Sequence, residues 1–408
     1  MNSIANCVAA TLQGPERAGA EGPLGNTAKS SSPLTQKKRA QRYAALGTAR
    51  VWLYQNAQKI DQSANPGDIY RTHDCRYARR ASQVEVHFSS LHQSAHYGKV
   101  ATCGSVWACP ICCAKVQNRR RPELQQLISW SYAEGMSPSM VTLTFPHTKF
   151  DSLGDLISKQ RAAFQRLRAG KVWQKFKEHF GFRGLVRSLE LTHGKNGWHP
   201  HTHEIWLIRG LTAAERDDFK ARILARWIKA CASVGLLDMA DAQQLHAFHL
   251  HSVDVRFNVN DSDYLAKQDS SRSWGVDKEM TQSASKVALQ KGVHPHEFLI
   301  RQQPGDFDRY IEYVNGMKGA RQLYWSPGLK GEADVTEKTD EELSEEQTEA
   351  AEMLGLLTAE QWRIVRGNDA RSELLDAAEL FGWPGVELLL QALGADLPTL
   401  LGKPTVYV

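Results

Sequence analysis

Apolar and polar positions alternate with helical spacing in some parts of the chain and with strand spacing in others. The segment "LGDLISKQRAAFQRLRAGKVWQKFKEHF" predicts amphipathic helices, whereas the β-branched residues of "SMVTLTFPH", Ser139–His147, predict a strand. "FRGLVRSLELTHGKNGWHPHTHEIWLI" predicts a hairpin whose two strands are joined by a Gly-Lys-Asn-Gly turn. Because helices and strands are interleaved around a hairpin, we predict an α+β fold with a central, largely antiparallel sheet flanked by helices.

Composition divides the chain into four predicted segments. Residues 1–38 are rich in small and polar residues without periodicity, which predicts disorder. Residues 39–138 form an N-terminal region with a cysteine-rich segment, and residues 139–330 hold the main α+β domain. Residues 331–408 are predicted to be an acidic linker followed by a helical region.

Charge is distributed unevenly along the chain, although the formal net charge is only +5. Residues 331–408 carry 17 acidic and 5 basic side chains, whereas residues 1–330 carry 28 acidic and 45 basic ones, a balance of +17. A body this basic attracts polyanions, so nucleic acid is the expected partner. The sequence contains neither an apolar run long enough for a membrane helix nor a typical signal peptide, so we expect a cytoplasmic protein without a membrane partner.

Three histidines alternate with other residues at the start of the second hairpin strand. Side chains two apart in a strand point to the same face, so His199, His201 and His203 are expected to form one stripe. Neighbours in such a stripe lie about 7 Å apart along the strand and can reach one metal ion. Glu190, on the partner strand, is a candidate carboxylate ligand, and the alternative for it is an exposed hairpin glutamate.

Four of the seven cysteines lie within eleven residues: Cys103, Cys109, Cys112 and Cys113. The spacing Cys109-x-x-Cys112, with Cys103 upstream and Cys75 or His73 as candidates for a fourth ligand, suits tetrahedral structural zinc. Such clustering also suits a reducing compartment better than a disulfide framework does. The alternative is a small patch of buried thiols.

Four further motifs follow the segment "CGSVWACPICCAK" in a fixed order: "VTLTFPH", "GWHPHTHEIWL", "DYLAKQ" and "GARQLYWSPGLK". Together, over about residues 70–330, they resemble the rolling-circle replication initiators of small bacterial plasmids, which belong to the HUH superfamily of nicking endonucleases. The resemblance implies an HUH-type, ferredoxin-like palm whose histidine strand pairs with the "TLTF" strand. The N-terminal segment and the acidic C-terminal region lie outside the resemblance.

The resemblance also implies roles for individual residues. His201 and His203 match the pair that binds the nicking metal, Mg²⁺ or Mn²⁺, with His199 or Glu190 as candidates for a third ligand. Tyr264 matches the catalytic tyrosine and Lys267 the lysine that accompanies it. Attack by the tyrosine would leave a 5′-phosphotyrosine link and a 3′-OH that primes replication. Some relatives carry a water-activating glutamate one helical turn before the tyrosine, where this chain has Asn260.

The implied partners are single-stranded or extruded origin DNA, with a host helicase and polymerase, in the bacterial cytoplasm. Two alternatives stay open from the sequence. Another HUH enzyme, a transposase or a relaxase, would share the same chemistry. A zinc-bearing DNA-binding repressor would bind an operator without cutting it, and its histidines would serve structure alone.

Overall fold

The computed structural model of the protein describes residues 33–260, 292–345 and 351–395. The helices are α1 (Pro33–Ile60), α2 (Pro66–Ile69), α3 (Pro110–Ala133), α4 (Leu153–Leu167), α5 (Gly170–Phe180), α6 (Ala213–Ser233), α7 (Ala242–His251), α8 (His296–Arg301), α9 (Asp306–Gly316), α10 (Leu329–Glu332), α11 (Asp340–Glu345), α12 (Ala359–Gly367) and α13 (Arg371–Ala392). The strands are β1 (Val84–Ser89), β2 (Ser94–Gly98), β3 (Met136–Leu143), β4 (Gly184–Gly194), β5 (Gly197–Arg209), β6 (Val253–Arg256), β7 (Leu323–Trp325) and β8 (Ala351–Leu357). Helices and antiparallel strands are interleaved, which confirms the predicted α+β class.

The described residues form two compact units. The first unit is discontinuous in sequence, since it combines residues up to Gly104 with residues from Ser344 onward. The second unit runs from Ser105 to Leu343 and contains the larger sheet. The segment boundaries that the sequence predicts after residues 138 and 330 concern independently folding segments, and they stay predictions.

The first unit contains a three-stranded antiparallel sheet in the order β2-β1-β8. The acidic linker and helical region predicted for residues 331–408 also contain a strand, β8, which the sequence analysis did not predict and which pairs with β1. Gly355 fits there because its Cα lies against Trp383, where a Cβ would come within 2.6 Å of the indole. At the other end of the chain, α1 begins at Pro33, so residues 33–38 of the segment predicted to be disordered are helical, and residues 1–32 lie outside the described part.

The second unit contains a five-stranded sheet in the order β6-β3-β5-β4-β7, and every neighbouring pair is antiparallel. The predicted hairpin is confirmed: β4 and β5 pair from Gly184–Leu207 down to Gly194–Gly197, with two residues in the turn. Gly197 has a φ of +83°, and a Cβ at this position would lie 2.8 Å from the Cα of Lys149. Only glycine meets both requirements without strain, so the turn and its register are well defined.

The two faces of this sheet are covered differently. On one face, Trp206 is fully buried against Trp173 of α5 and Phe219 of α6, with ring centroids 5.8 and 5.9 Å away. On the other face, Ile205 and Leu207 belong to a buried apolar cluster that includes residues of α3, β3 and β4. The histidine stripe continues the second face beyond Ile205, so it lies where the apolar core ends.

Among the described residues, none of the helices combines the length and the hydropathy needed to span a membrane.

Candidate metal centre and active site

Three of the four predicted metal ligands meet on one face of the hairpin. Glu190 lies directly opposite His201 in the β4–β5 ladder, and His203 follows two residues later on the same face. The Nε2 atoms of His201 and His203 each lie 3.4 Å from Oε2 of Glu190. The three side chains are 12–17% exposed, so the group is shielded but still open to solvent. We call Glu190, His201 and His203 the triad.

Hydrogen bonds orient both imidazoles of the triad. Nδ1 of His201 lies 3.3 Å from the carbonyl oxygen of His199. Because a carbonyl only accepts, this Nδ1 carries the hydrogen, and in the neutral ring the lone pair of Nε2 is available to bind a metal ion. Nδ1 of His203 lies 2.9 Å from the hydroxyl of Thr142, which sits opposite His203 on β3. Partners of this kind fix ring orientation at metal sites.

The charge of the triad suits a divalent cation. Burial alone would raise the pKa of Glu190, but hydrogen bonds and charge from His201 and His203 outweigh it and hold this pKa well below its ordinary value. Glu190 is therefore an ionised carboxylate at neutral pH. Ligand atoms around a six-coordinate ion at about 2.1 Å lie about 3 Å apart, so the 3.4 Å separations fit one ion after a small adjustment. Three ligands would leave coordination positions for water and phosphate oxygens.

His199, the fourth predicted ligand, turns toward His147 instead. Nδ1 of His199 lies 2.7 Å from Nε2 of His147, whose Nδ1 donates to the carbonyl oxygen of Asn196 at 3.0 Å. Burial, together with the neighbouring imidazoles of His201 and His147, lowers the pKa of His199 to about 3, so this ring stays neutral. Sequence reasoning missed His147, although it ends the "VTLTFPH" motif.

The predicted nucleophile Tyr264 and its companion Lys267 lie outside the described residues. Two other tyrosines lie downstream of Tyr264 in the sequence, Tyr310 and Tyr313. Both are fully buried, so neither is suited to act as the nucleophile. The hydroxyl of Tyr310 donates to the carbonyl oxygen of Ala108 at 2.7 Å. Burial raises the pKa of Tyr313 well above its ordinary value, which makes its phenol a poorer nucleophile still.

Four of the predicted zinc ligands come together: Cys75, Cys103, Cys109 and Cys112, with one ligand atom from each lying within 4.8 Å of the others. All four are buried, and tetrahedral ligation at a Zn–S distance of about 2.3 Å requires sulfurs about 3.8 Å apart, which this spacing accommodates. Cys113 is buried as well but does not belong to the group. His73, the alternative to Cys75, is hydrogen-bonded to Asp74 at 2.9 Å. The cysteine cluster can therefore bind a metal ion.

Comparison with known proteins identifies the part of the chain that holds the triad. Residues 96–211 match a family model described as "Replication protein". This segment is therefore similar to replication proteins. It includes strands β3, β4 and β5 and three of the four clustered cysteines. The predicted resemblance to replication proteins is thereby confirmed.

Two relatives are also similar to parts of the chain. "Protein rep" of Streptomyces lividans is 24% identical over an alignment of 289 residues, and the match covers 56% of this chain and 62% of the relative. A protein of Streptomyces cyanogenus named "Neomycin resistance protein" is 32% identical over an alignment of 142 residues, and the match covers 28% of this chain and 32% of the relative. The match thus covers less than two thirds of the length of either relative. No solved structure matches the chain.

Proposed function

We propose that this protein is a plasmid replication initiator that nicks one DNA strand at its origin and starts rolling-circle replication. The observation that carries the proposal is the triad, which joins two imidazoles and one ionised carboxylate on one sheet face inside the replication protein segment. The antiparallel sheet, with its histidines on the central strand β5, supports the further proposal that this unit is an HUH-type palm.

The triad would hold one divalent cation, Mg²⁺ or Mn²⁺. When bound, such an ion polarises the scissile phosphate and offsets the negative charge that develops during attack. Glu190 would contribute the anionic ligand. The hydrogen bonds at Nδ1 of His201 and of His203 keep both Nε2 atoms directed toward Glu190. Because the two strands are paired along their whole length, the ligands are held in place before DNA arrives.

Tyr264 would attack the phosphate, and Lys267 would favour loss of the phenolic proton. A phenol with an ordinary pKa of about 10 is a weak nucleophile at neutral pH and needs this assistance. The new bond joins the tyrosine oxygen to phosphorus, and the bond from phosphorus to the 3′ oxygen breaks. The products are a 5′-phosphotyrosine and a free 3′-OH, to which a polymerase can add nucleotides.

The basic balance of +17 over residues 1–330 would attract the DNA backbone, which makes binding salt-dependent. Origin DNA would enter as a single strand or an extruded hairpin, with host helicase and polymerase acting afterwards. The cysteine cluster would bind a structural Zn²⁺ ion, because four buried sulfurs suit a closed tetrahedral site.

The proposal is tested by incubating the protein with supercoiled circles of its own replicon and Mn²⁺. Nicked circles that carry bound protein are expected from the wild type and from His199→Ala, because Nδ1 of His199 contacts His147 rather than Glu190. The double variant His201→Ala/His203→Ala is expected to bind DNA but not to cut it. Binding without nicking by the wild type would instead support the repressor alternative.

A further inference from the structure

A second candidate site lies in the same unit as the triad, in a cavity of about 330 Å³. The polar and aromatic side chains that line it are Gln160, Arg161, Phe164, Arg187, Arg321 and Tyr324. They come from α4, β4, β7 and the loop that precedes β7. A cavity of this volume is large enough to enclose a small organic ligand.

The cavity lies on the sheet face opposite to the triad. Arg187 sits directly across from Glu204 on β5 and from Tyr324 on β7. Glu204 is adjacent to His203 in the strand, and adjacent side chains point to opposite faces. A ligand in the cavity would therefore be separated from the triad by the sheet itself.

The guanidinium group of Arg187 is held between two aromatic rings. Its central carbon lies 4.6 Å from the ring centroid of Phe164 and 4.9 Å from that of Tyr324. Such stacking fixes the plane of the guanidinium and leaves its edge free to meet the oxygens of an anion. Burial lowers the pKa of Arg187, but an arginine remains charged at neutral pH.

The charge around the cavity is positive. Arg161, Arg187 and Arg321 line it, and no carboxylate is among the described residues of the lining. Glu204 lies close enough to act on Arg187, but its carboxylate already pairs with Arg168 and accepts a hydrogen bond from the Trp206 indole at 2.6 Å. An anion in the cavity would thus meet three guanidinium groups, while Glu204 stays outside the lining.

A buried amide lines the cavity. Gln160 is 2% exposed, and its Nε2 atom has no hydrogen-bond partner in the part of the chain that the structure describes. A buried donor without an acceptor destabilises the folded state. A ligand oxygen inside the cavity would supply the acceptor and remove this penalty.

We propose that this cavity binds a nucleotide. The phosphate would meet Arg161, Arg187 and the amide of Gln160, and the base or sugar would lie against the rings of Phe164 and Tyr324. The same chemistry would recognise a nucleotide within a DNA strand or a free nucleotide. The site requires neither the triad nor Tyr264, so it can be tested independently of the nicking reaction.

Calorimetry on the full-length protein without divalent metal tests the proposal, with thymidine 5′-monophosphate and thymidine as probes. The nucleotide is expected to bind saturably, and the nucleoside at least about tenfold more weakly because it lacks the phosphate. Arg161→Ala should weaken nucleotide binding about tenfold, whereas Arg166→Ala, the same charge loss on the same helix outside the cavity, should leave it unchanged. Absence of saturable nucleotide binding, or an equal loss of affinity in both variants, would contradict the proposed site.

Gln160→Met provides a second test that separates binding from folding. Methionine keeps the length of the side chain but removes the buried donor, so Tm should rise while nucleotide affinity falls. Unchanged affinity in this variant would contradict the proposal, whatever happens to Tm. A short oligonucleotide that displaces the mononucleotide would identify a DNA strand as the occupant, and simultaneous binding of both would identify a free nucleotide.

Discussion

The Nε2 atom of His203 lies 3.4 Å from Oε2 of Glu190, although the ladder places Glu190 directly opposite His201. The same carboxylate oxygen also lies 3.4 Å from Nε2 of His201. Glu190 therefore contacts two imidazoles that are two residues apart on the neighbouring strand. This arrangement makes the carboxylate the centre of the triad.

Glu190→Gln should abolish most of the nicking activity while leaving the fold and DNA binding intact. The amide keeps the size of the side chain but removes the negative charge, so the triad should lose most of its affinity for Mn²⁺. We expect scission to fall by about a hundredfold or more, with single-strand binding at low salt unchanged. Calorimetric metal titration and nicking rates measure the two effects, and His199→Ala is the matched control on the same stripe. Equal loss of binding and scission would mean that the triad is structural.

Thr142→Val should weaken metal binding although Thr142 itself is not a ligand. The change removes the hydroxyl that is hydrogen-bonded to Nδ1 of His203 and keeps the shape of the side chain. Loss of such an orienting partner typically costs about 10- to 100-fold in metal affinity or activity. Thr142→Ser retains the hydroxyl and should restore most of the affinity. If the valine and serine variants bind Mn²⁺ equally well, this hydrogen bond does not orient the ring.

Two adjacent cysteines offer a matched test of the zinc proposal. Cys112 belongs to the four-sulfur cluster and Cys113 does not, although both are buried. Cys112→Ser should release about one zinc per chain and lower the free energy of unfolding by at least about 2 kcal/mol, because metal binding stabilises the fold. Cys113→Ser should retain the zinc. Elemental analysis of the purified proteins decides, and a wild type without zinc would exclude the assignment.

The carboxyl group of Asp376, in the first unit, is expected to make the stability of the fold depend on pH. Burial outweighs the opposing charge of Arg39 and, with smaller contributions from Glu379 and Glu373, raises the pKa of Asp376 to about 6. A raised folded-state pKa means that the folded protein binds the proton more tightly, so this stabilisation is present at low pH and is lost as the pH rises through 6.

Asp376→Asn, which mimics the neutral form, should therefore stabilise the protein at pH 7.5 by about 1 kcal/mol, after allowance for partial solvent exposure. Near pH 4 the gain should disappear, because the wild-type carboxyl is then protonated. Thermal melts at the two pH values measure the difference. A variant that is less stable than the wild type at pH 7.5 would show that the ion pair with Arg39 dominates.

The hairpin and most of the triad could be predicted because they depend on local sequence. The two-residue turn pairs Gly194 with Gly197, and counting back along both strands from this pair places Glu190 opposite His201. The period of two then places His203 on the same face. Sequence alone left open whether His199 or Glu190 completes the group, because the choice depends on His147, which approaches from the β3–α4 connection.

Features that depend on distant segments could not be predicted. The segment Ala351–Leu357 forms a strand because β1, far away in the sequence, offers its edge. Its apolar residues would suit a helix equally well, so the pattern does not distinguish the two. The cavity around Arg187 was missed for the same reason, since α4, β4 and the loop before β7 are adjacent only in the folded chain.

The most direct test of the central claim is to identify the residue that becomes linked to DNA. The protein–DNA adduct would be formed with Mn²⁺ and a single-stranded origin oligonucleotide, digested with protease and analysed by mass spectrometry. We predict that the nucleotide is attached to the peptide that contains Tyr264, and that Tyr264→Phe, which removes one oxygen, binds DNA normally but forms neither nick nor adduct. A nucleotide on any other tyrosine would contradict the assignment of the nucleophile, and DNA cut without any adduct would contradict the covalent mechanism itself.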